Sequence, residues 1–252
     1  MLHSEIRHLT PHCELHVIDI EKIDQDLESL LDKFLVSICE GDSGSEISLV
    51  KKRLKSFFED KRKNTILGAV AEFFTHLYLK ENGFKQEFLF FNLEENSIKK
   101  GFDGFFSKDL ETYLMESKSG SIESKNISHE SKLKSAYSNL EKYVSGKSKK
   151  GKNNPWKNAY NHASHIDVGT SSSIRKKVKI LQDNFDLGNY KSINEFNILP
   201  CSTIFLGGVW DNGMSSEILI DHQFIEKFSG RTTKAICITK GSVNHFFNYL
   251  DK

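Results

Sequence analysis

Between residues 65 and 144 one helical hydrophobic pattern gives way to three short strand patterns and then to a second helical pattern. This order constrains the fold more than any other feature of the chain. Ile66, Ala69, Val70, Phe73, Phe74 and Leu77 recur at helical spacing and predict a helix over about Thr65–Lys80, closed by Asn82–Gly83. Glu87–Leu93 (EFLFFNL) then reads as a buried strand, followed by strands over Phe102–Phe106 (FDGFF) and Thr112–Lys118 (TYLMESK). Leu133, Ala136, Tyr137, Leu140 and Val144 mark the next helix, over about Ser128–Val144. Apolar strands this short need helices to cover their faces. The expected class is therefore α/β, a mixed central sheet flanked by helices.

The remainder fits that frame. Cys13–Ile20 alternates like a strand, and helices are predicted over Leu27–Ile38 and Ile47–Phe58. A basic loop, Ser145–Asn154, precedes helices predicted at Pro155–His165 and Ile174–Phe185. Strands are expected at Thr203–Val209, Ser216–Ile220 and Lys234–Thr239, with a last helix from Val243. At 252 residues the chain accommodates an N-terminal part (1–64) packed on a core domain (65–252), or one continuous domain over 1–252.

Composition narrows the function. The formal charge is +1, so no global basic field draws the chain to nucleic acid, and local patches would have to do so. Cys13, Cys39, Cys201 and Cys237 form no CxxC pair, which argues against a zinc knuckle. The first twelve residues do not read as a secretory signal, and no apolar run approaches the ~18 residues of a membrane span, so a cytoplasmic location is expected. No GxxxxGK[ST] occurs, so the chain is not itself a P-loop ATPase.

The chemistry concentrates at two strand ends. Asp103 lies in Gly-Phe-Asp-Gly, and on that dipeptide alone a turn aspartate is the simpler reading. Thirteen residues on, Glu116-Ser117-Lys118 ends an apolar strand. Alternation puts Glu116 and Lys118 on one face, so a carboxylate and an ammonium emerge together; a plain ion pair is the bland reading. Two carboxylates on neighbouring strands can hold Mg²⁺ through hard oxygen ligands, and a lysine beside them can orient or deprotonate the attacking water, or stabilise phosphoryl charge.

The block Asp103…Glu116-Ser117-Lys118 resembles the signature of the PD-(D/E)XK nuclease superfamily. The resemblance covers about Gly68–Val144. It implies a restriction-endonuclease-like core and a fourth acid, Glu72, on the preceding helix. Glu72, Asp103 and Glu116 would then bind Mg²⁺, with Mn²⁺ able to substitute, and Lys118 would complete the catalytic set. The proline that usually precedes the first acid is replaced by Phe102. Asn139 and Tyr143 approximate a Q-x-x-x-Y element, and a solvent-facing helix turn explains them equally well. The order of elements, the Gly-Phe-Asp-Gly turn and the strand end are also similar to the Hachiman nuclease (HamA-type) family of anti-phage defence, which implies DNA as substrate and a helicase partner. The competing expectation is a catalytically inactive nucleic-acid-binding or assembly subunit of the same fold.

Further candidates are basic. Lys147, Lys149, Lys150 and Lys152 could follow a nucleic-acid backbone, against the plainer reading of a solvated loop. Arg175, Lys176 and Lys177 open a helix, where cations oppose the dipole, which favours a binding role over a stabilising one. His162, His165 and Asp167 make a weak metal motif. Trp156 and Trp210 read as core residues before stacking platforms.

Overall fold

The computed structural model describes residues 2–90, 101–148 and 154–252. In chain order the elements are β1 (Ser4–Thr10), β2 (Cys13–Ile20), α1 (Gln25–Cys39), α2 (Ile47–Glu59), α3 (Lys63–Glu81), β3 (Lys85–Gln86), β4 (Gly104–Lys108) and β5 (Glu111–Ser121). There follow α4 (His129–Val144), α5 (Pro155–Ala163), α6 (Ser172–Asp186), β6 (Asn197–Phe205), α7 (Gly213–Ile220), β7 (Thr232–Lys240) and α8 (Asn244–Leu250). The strands form one open sheet in the order β1-β2-β7-β6-β5-β4-β3. β3, β4 and β5 are antiparallel, β5, β6, β7 and β2 are parallel, and β1 returns antiparallel at the far edge. This is the mixed, helix-flanked α/β sheet that the hydrophobic pattern predicts. Among the described residues no helix is long and apolar enough to cross a membrane.

Strand alternation sorts the core into two faces. On one, Met115, Leu199, Ile236 and Ile238 pack with α1, α2, α3 and α8. On the other, Leu114 and Ile198 pack with α4, α5 and α6, while Leu15, Ala235 and Cys237 pack with α7 and Leu133 of α4. All four cysteines are buried and reduced. Trp156 is buried and stacks on Phe196, as a core residue does.

Several elements differ from the sequence reading. Residues 87–90 of the expected strand 87–93 are not strand; the pairing is confined to Lys85 and Gln86, while Phe88 and Phe90 turn into separate cores. Positions 91–93 lie outside the described residues. The strand expected at 203–209 begins six residues earlier, because Pro200 hides it. The β6–β7 ladder pairs Ile198, skips 199–200 and resumes at Cys201, so the missing proline N–H falls in the gap. Residues 216–220, read as strand, belong to the helix α7. Short apolar runs such as Ile218-Leu219-Ile220 carry no period that separates the two. β1 went unread because its residues are mostly exposed on both faces, as suits an edge strand.

A buried polar chain pins α4 to the sheet. His129, the first residue of α4, bonds Ser202 Oγ (2.8 Å) and Thr239 Oγ1 (3.1 Å), and Ser215 continues the chain from Thr239 to Asp19. Burial alone pushes the imidazole pKa down to about 3. Between pH ~6.5, the unfolded value, and ~3, the unfolded chain takes a proton that the fold refuses. His129 therefore contributes stability above pH ~6.5 that is lost as pH falls, by up to ~1.4 kcal/mol per pH unit. Thermal melts from pH 7 to pH 5 should show His129→Gln with a shallower loss than wild type. Equal slopes would show that His129 is not the group responsible.

Candidate active site

The site forms where β4 ends and β5 continues. β4 pairs with β5 only as far as Gly104 opposite Met115, so beyond Met115 this edge of β5 has no strand partner among the described residues. Asp103 fills the vacancy: its backbone N–H donates to Met115 O (3.1 Å), and its Oδ2 accepts from Ser117 N (2.8 Å). The carboxylate thus takes the place of the next ladder acceptor. Asp103 does not turn the hairpin. That turn is Asp109–Leu110, both with positive φ, the pattern of a type I′ connection.

The segment before Asp103 is clamped by packing. The Phe102 ring lies edge-on to Tyr143 (5.7 Å) and against Trp156 (5.0 Å). Gly101 has φ +137 and approaches Pro155, where a Cβ would come within 3.3 Å of a side-chain carbon. Gly104 is equally confined, since a Cβ would sit 2.7 Å from the Phe106 ring.

β5 supplies the second acid and the cation. Glu116 and Lys118 share the Leu114 face, towards α4, and Lys118 Nζ donates to Glu116 Oε1 (2.5 Å) and to Ser117 O (3.2 Å). Asn139 of α4 donates a second hydrogen bond to Glu116 Oε1 (2.9 Å). Glu116 is 1% exposed, and its Oε2 is buried without a hydrogen-bond partner among the described residues. Glu72 comes from α3, half-buried, with His76 Nε2 3.6 Å from its Oε1.

The electrostatics show how closely these groups couple. Burial, then the charges of Glu116 and Glu72, hold the Asp103 carboxyl well above the usual range, despite Lys118 and the Ser117 N–H. Burial also raises Glu116; Lys118 and Asn139 oppose that, and Glu72 adds to it. Burial alone would lower the Lys118 pKa, but Glu116, Asp103 and Glu72 together raise it. Lys118 is therefore held as an ammonium, suited to donate hydrogen bonds or stabilise negative charge and unsuited to act as a general base. Two buried carboxylates that repel each other and the more distant charge of Glu72, with one Glu116 oxygen left unsatisfied, make a donor set in which Asp103 and Glu116 could hold a hard divalent cation. Among the described residues no group of three His, Cys, Asp or Glu side chains is placed to ligate one ion. Magnesium does not need one, since it keeps several waters and often takes only one or two carboxylates.

Asn139 and Tyr143 belong to this site, and the spacing of the Q-x-x-x-Y-like element was the signal for them. Tyr143 lies close enough to Glu116 and Asp103 for their charges, after burial, to raise its pKa. Asn139→Ala should release Glu116, and if Glu116 is a metal ligand any metal-dependent activity of the site should fall by about 10–100-fold, the usual effect of losing a support to a ligand. Asn139→Gln should recover part of it, because it restores the donor. Initial rates against metal concentration would check this, and wild-type rates in Asn139→Ala would rule out the support.

The other candidates lie elsewhere. Lys147 is exposed just beyond the C-terminal end of α4, past the turn at Gly146. Arg175 and Lys176 are exposed on the first turns of α6. Lys149, Lys150 and Lys152 lie outside the described residues. His162 stacks on Phe88, and His165 faces Asp167 at 3.7 Å. Trp210 is half-buried.

A family model described as HamA matches residues 2–230, most of the chain. No curated protein matches it.

Proposed function

The chain belongs to the HamA family, and on that premise we propose that it is a metal-dependent nuclease that hydrolyses DNA phosphodiester bonds. Family membership ties the chain to Hachiman anti-phage defence. The observation that carries the nuclease reading is the buried, unsatisfied Oε2 of Glu116 beside Asp103, Glu72 and Lys118. Asp103 and Glu116 would hold Mg²⁺ or Mn²⁺, and Glu72 would act through a water at the same site. A bound ion of this kind polarises the phosphodiester and eases ionisation of the attacking water. Lys118, kept protonated by its carboxylates, donates to the phosphoryl oxygens as charge develops on them. Asn139 and Lys118 together fix the Glu116 carboxylate, so its second oxygen stays turned to the site.

Exposed cations at Lys147, Arg175 and Lys176, with Lys149, Lys150 and Lys152 of the basic loop, are proposed contacts to the DNA backbone. With no P-loop motif in this chain, strand separation falls to a helicase partner in the same reading. The test is cleavage of linear, circular and single-stranded DNA by the purified chain, alone and with candidate helicases, in chelator, Mg²⁺ and Mn²⁺. Cleavage should require the metal and vanish in Asp103→Ala with the fold intact. DNA bound but never cut, under every condition, would instead favour a non-catalytic binding subunit.

A further inference from the structure

β1 closes one edge of the sheet, and among the described residues no strand lies beyond it. The outer N–H and C=O groups of such an edge are open to a further strand. β1 is held firmly in place. Leu2, two residues before it, is buried and donates its N–H to Glu81; Arg7 Nη1 donates to Leu219 O (2.7 Å), and Leu9 packs against a core cluster. A strand already ordered loses little further entropy when it pairs. Glu5, Ile6, Arg7 and His8 are nonetheless exposed.

Two features select how a second strand fits this edge. β1 pairs with β2 without interruption from Ser4 to His8, and the register then shifts before Thr10, which bends the strand there. Ile6 is the midpoint of that regular stretch. The charges mark the same residue, since Glu5 and Arg7 flank Ile6 with opposite signs.

We propose that the β1 edge pairs antiparallel with β1 of a second copy of this chain, about a two-fold axis at Ile6. Opposed side chains in such a pair share a face, so the axis must pass through a residue. At Ile6, each Glu5 lies opposite Arg7 of the other copy, and the two Ile6 side chains, each 43% exposed, meet on the other face. An axis at Glu5 or at Arg7 would set like charges directly opposite, which destabilises a pair. Charges on an edge commonly guard it against stray strands. Here they exclude the two neighbouring registers and admit this one. Glu5 and Arg7 already pair within the strand (2.7 Å), but at an exposure that holds little energy, so both can be shared across the axis. A foreign strand would have to match this charge order by coincidence, whereas a second copy matches it by symmetry.

No active-site residue takes part, so the pairing is independent of the nuclease reading. β5 lies four strands from β1, ~19 Å at ~4.8 Å per strand. The two candidate sites therefore lie far apart, towards opposite ends of one continuous sheet.

The experiment is sedimentation velocity of the full chain over a concentration series reaching the millimolar range. A short edge is small beside a standard interface of ~1,600 Å², so the dimer should be weak. Wild type should pass from monomer to dimer along the series. Glu5→Arg and Arg7→Glu should each weaken association at least ~10-fold, because each sets like charges across the axis. Mixed in equal amounts, the two variants should associate again, since every arginine then meets a glutamate. The double variant Glu5→Arg/Arg7→Glu should likewise associate with itself. Recovery in the mixture cannot come from a folding defect, and circular dichroism checks each variant alone. A wild-type chain that stays monomeric throughout overturns the proposal and leaves the edge to a strand of another protein or to none. A dimer untouched by the single substitutions overturns it by placing the contact on another surface. A mixture that fails to recover overturns it as well, because the axis at Ile6 requires the recovery.

Discussion

Replacing Asp103 with asparagine is expected to abolish cleavage and, in chelator, to raise the melting temperature. The two effects have one cause. Asp103 lies beside Glu116 and Glu72, and burial together with their charges opposes its ionisation. Without a cation that repulsion weighs against the folded state. Asparagine keeps the acceptor that Ser117 N needs, preserves the shape and removes a charge. Relief of about 1–3 kcal/mol is expected, the scale of an uncompensated buried polar group. That corresponds to roughly 2–4 °C per kcal/mol in a chain of this size. The same change removes one of the two proposed metal ligands and should lower the cleavage rate by on the order of 10³-fold or more. Mg²⁺ should then stabilise the wild type strongly and Asp103→Asn weakly. Differential scanning calorimetry in chelator and in Mg²⁺ reads both. A variant less stable than wild type in chelator would contradict the assigned electrostatics, and retained cleavage would contradict the assigned ligand.

Glu116 does not behave as a second copy of Asp103. Its Oε1 accepts from Lys118 and Asn139, so part of its burial is offset. Glu116→Gln would weaken the hold on Lys118 and should bring no comparable gain. Asp103 carries the destabilisation and Glu116 the organisation, although both are expected ligands.

The pairing of Glu116 with Lys118 was readable from strand alternation, which needs only the local backbone. So was the helix that brings Asn139 and Tyr143, through its hydrophobic period. What Asp103 does was not readable. Its grip on the Ser117 amide depends on β4 stopping short of β5, a fact of register between segments rather than of either segment. The central strand was half-legible for a related reason. Pro200 argues against a central strand locally and is tolerated only because the β6–β7 ladder has a gap at that residue.

Lys118→Met is the variant expected to lose both activity and stability. Lys118 donates to a glutamate that is 1% exposed, and truncating its charge strands that carboxylate. Breaking one partner of a buried pair commonly costs about 3–5 kcal/mol. Lys118 is itself 27% exposed, so the lower end of that range is expected here. Cleavage should fall below detection, because the cation proposed to meet developing phosphoryl charge is gone. A loss of activity accompanied by a loss of stability is ambiguous alone, and the double variant Lys118→Met/Glu116→Gln resolves it. Removing the stranded charge should restore most of the stability, giving a strong coupling in the double-mutant cycle, while cleavage stays absent. Chemical denaturation of the four proteins in chelator measures that coupling. Additive losses of stability would mean that the short Lys118–Glu116 contact does not hold the carboxylate, and that the lysine is placed for the substrate alone.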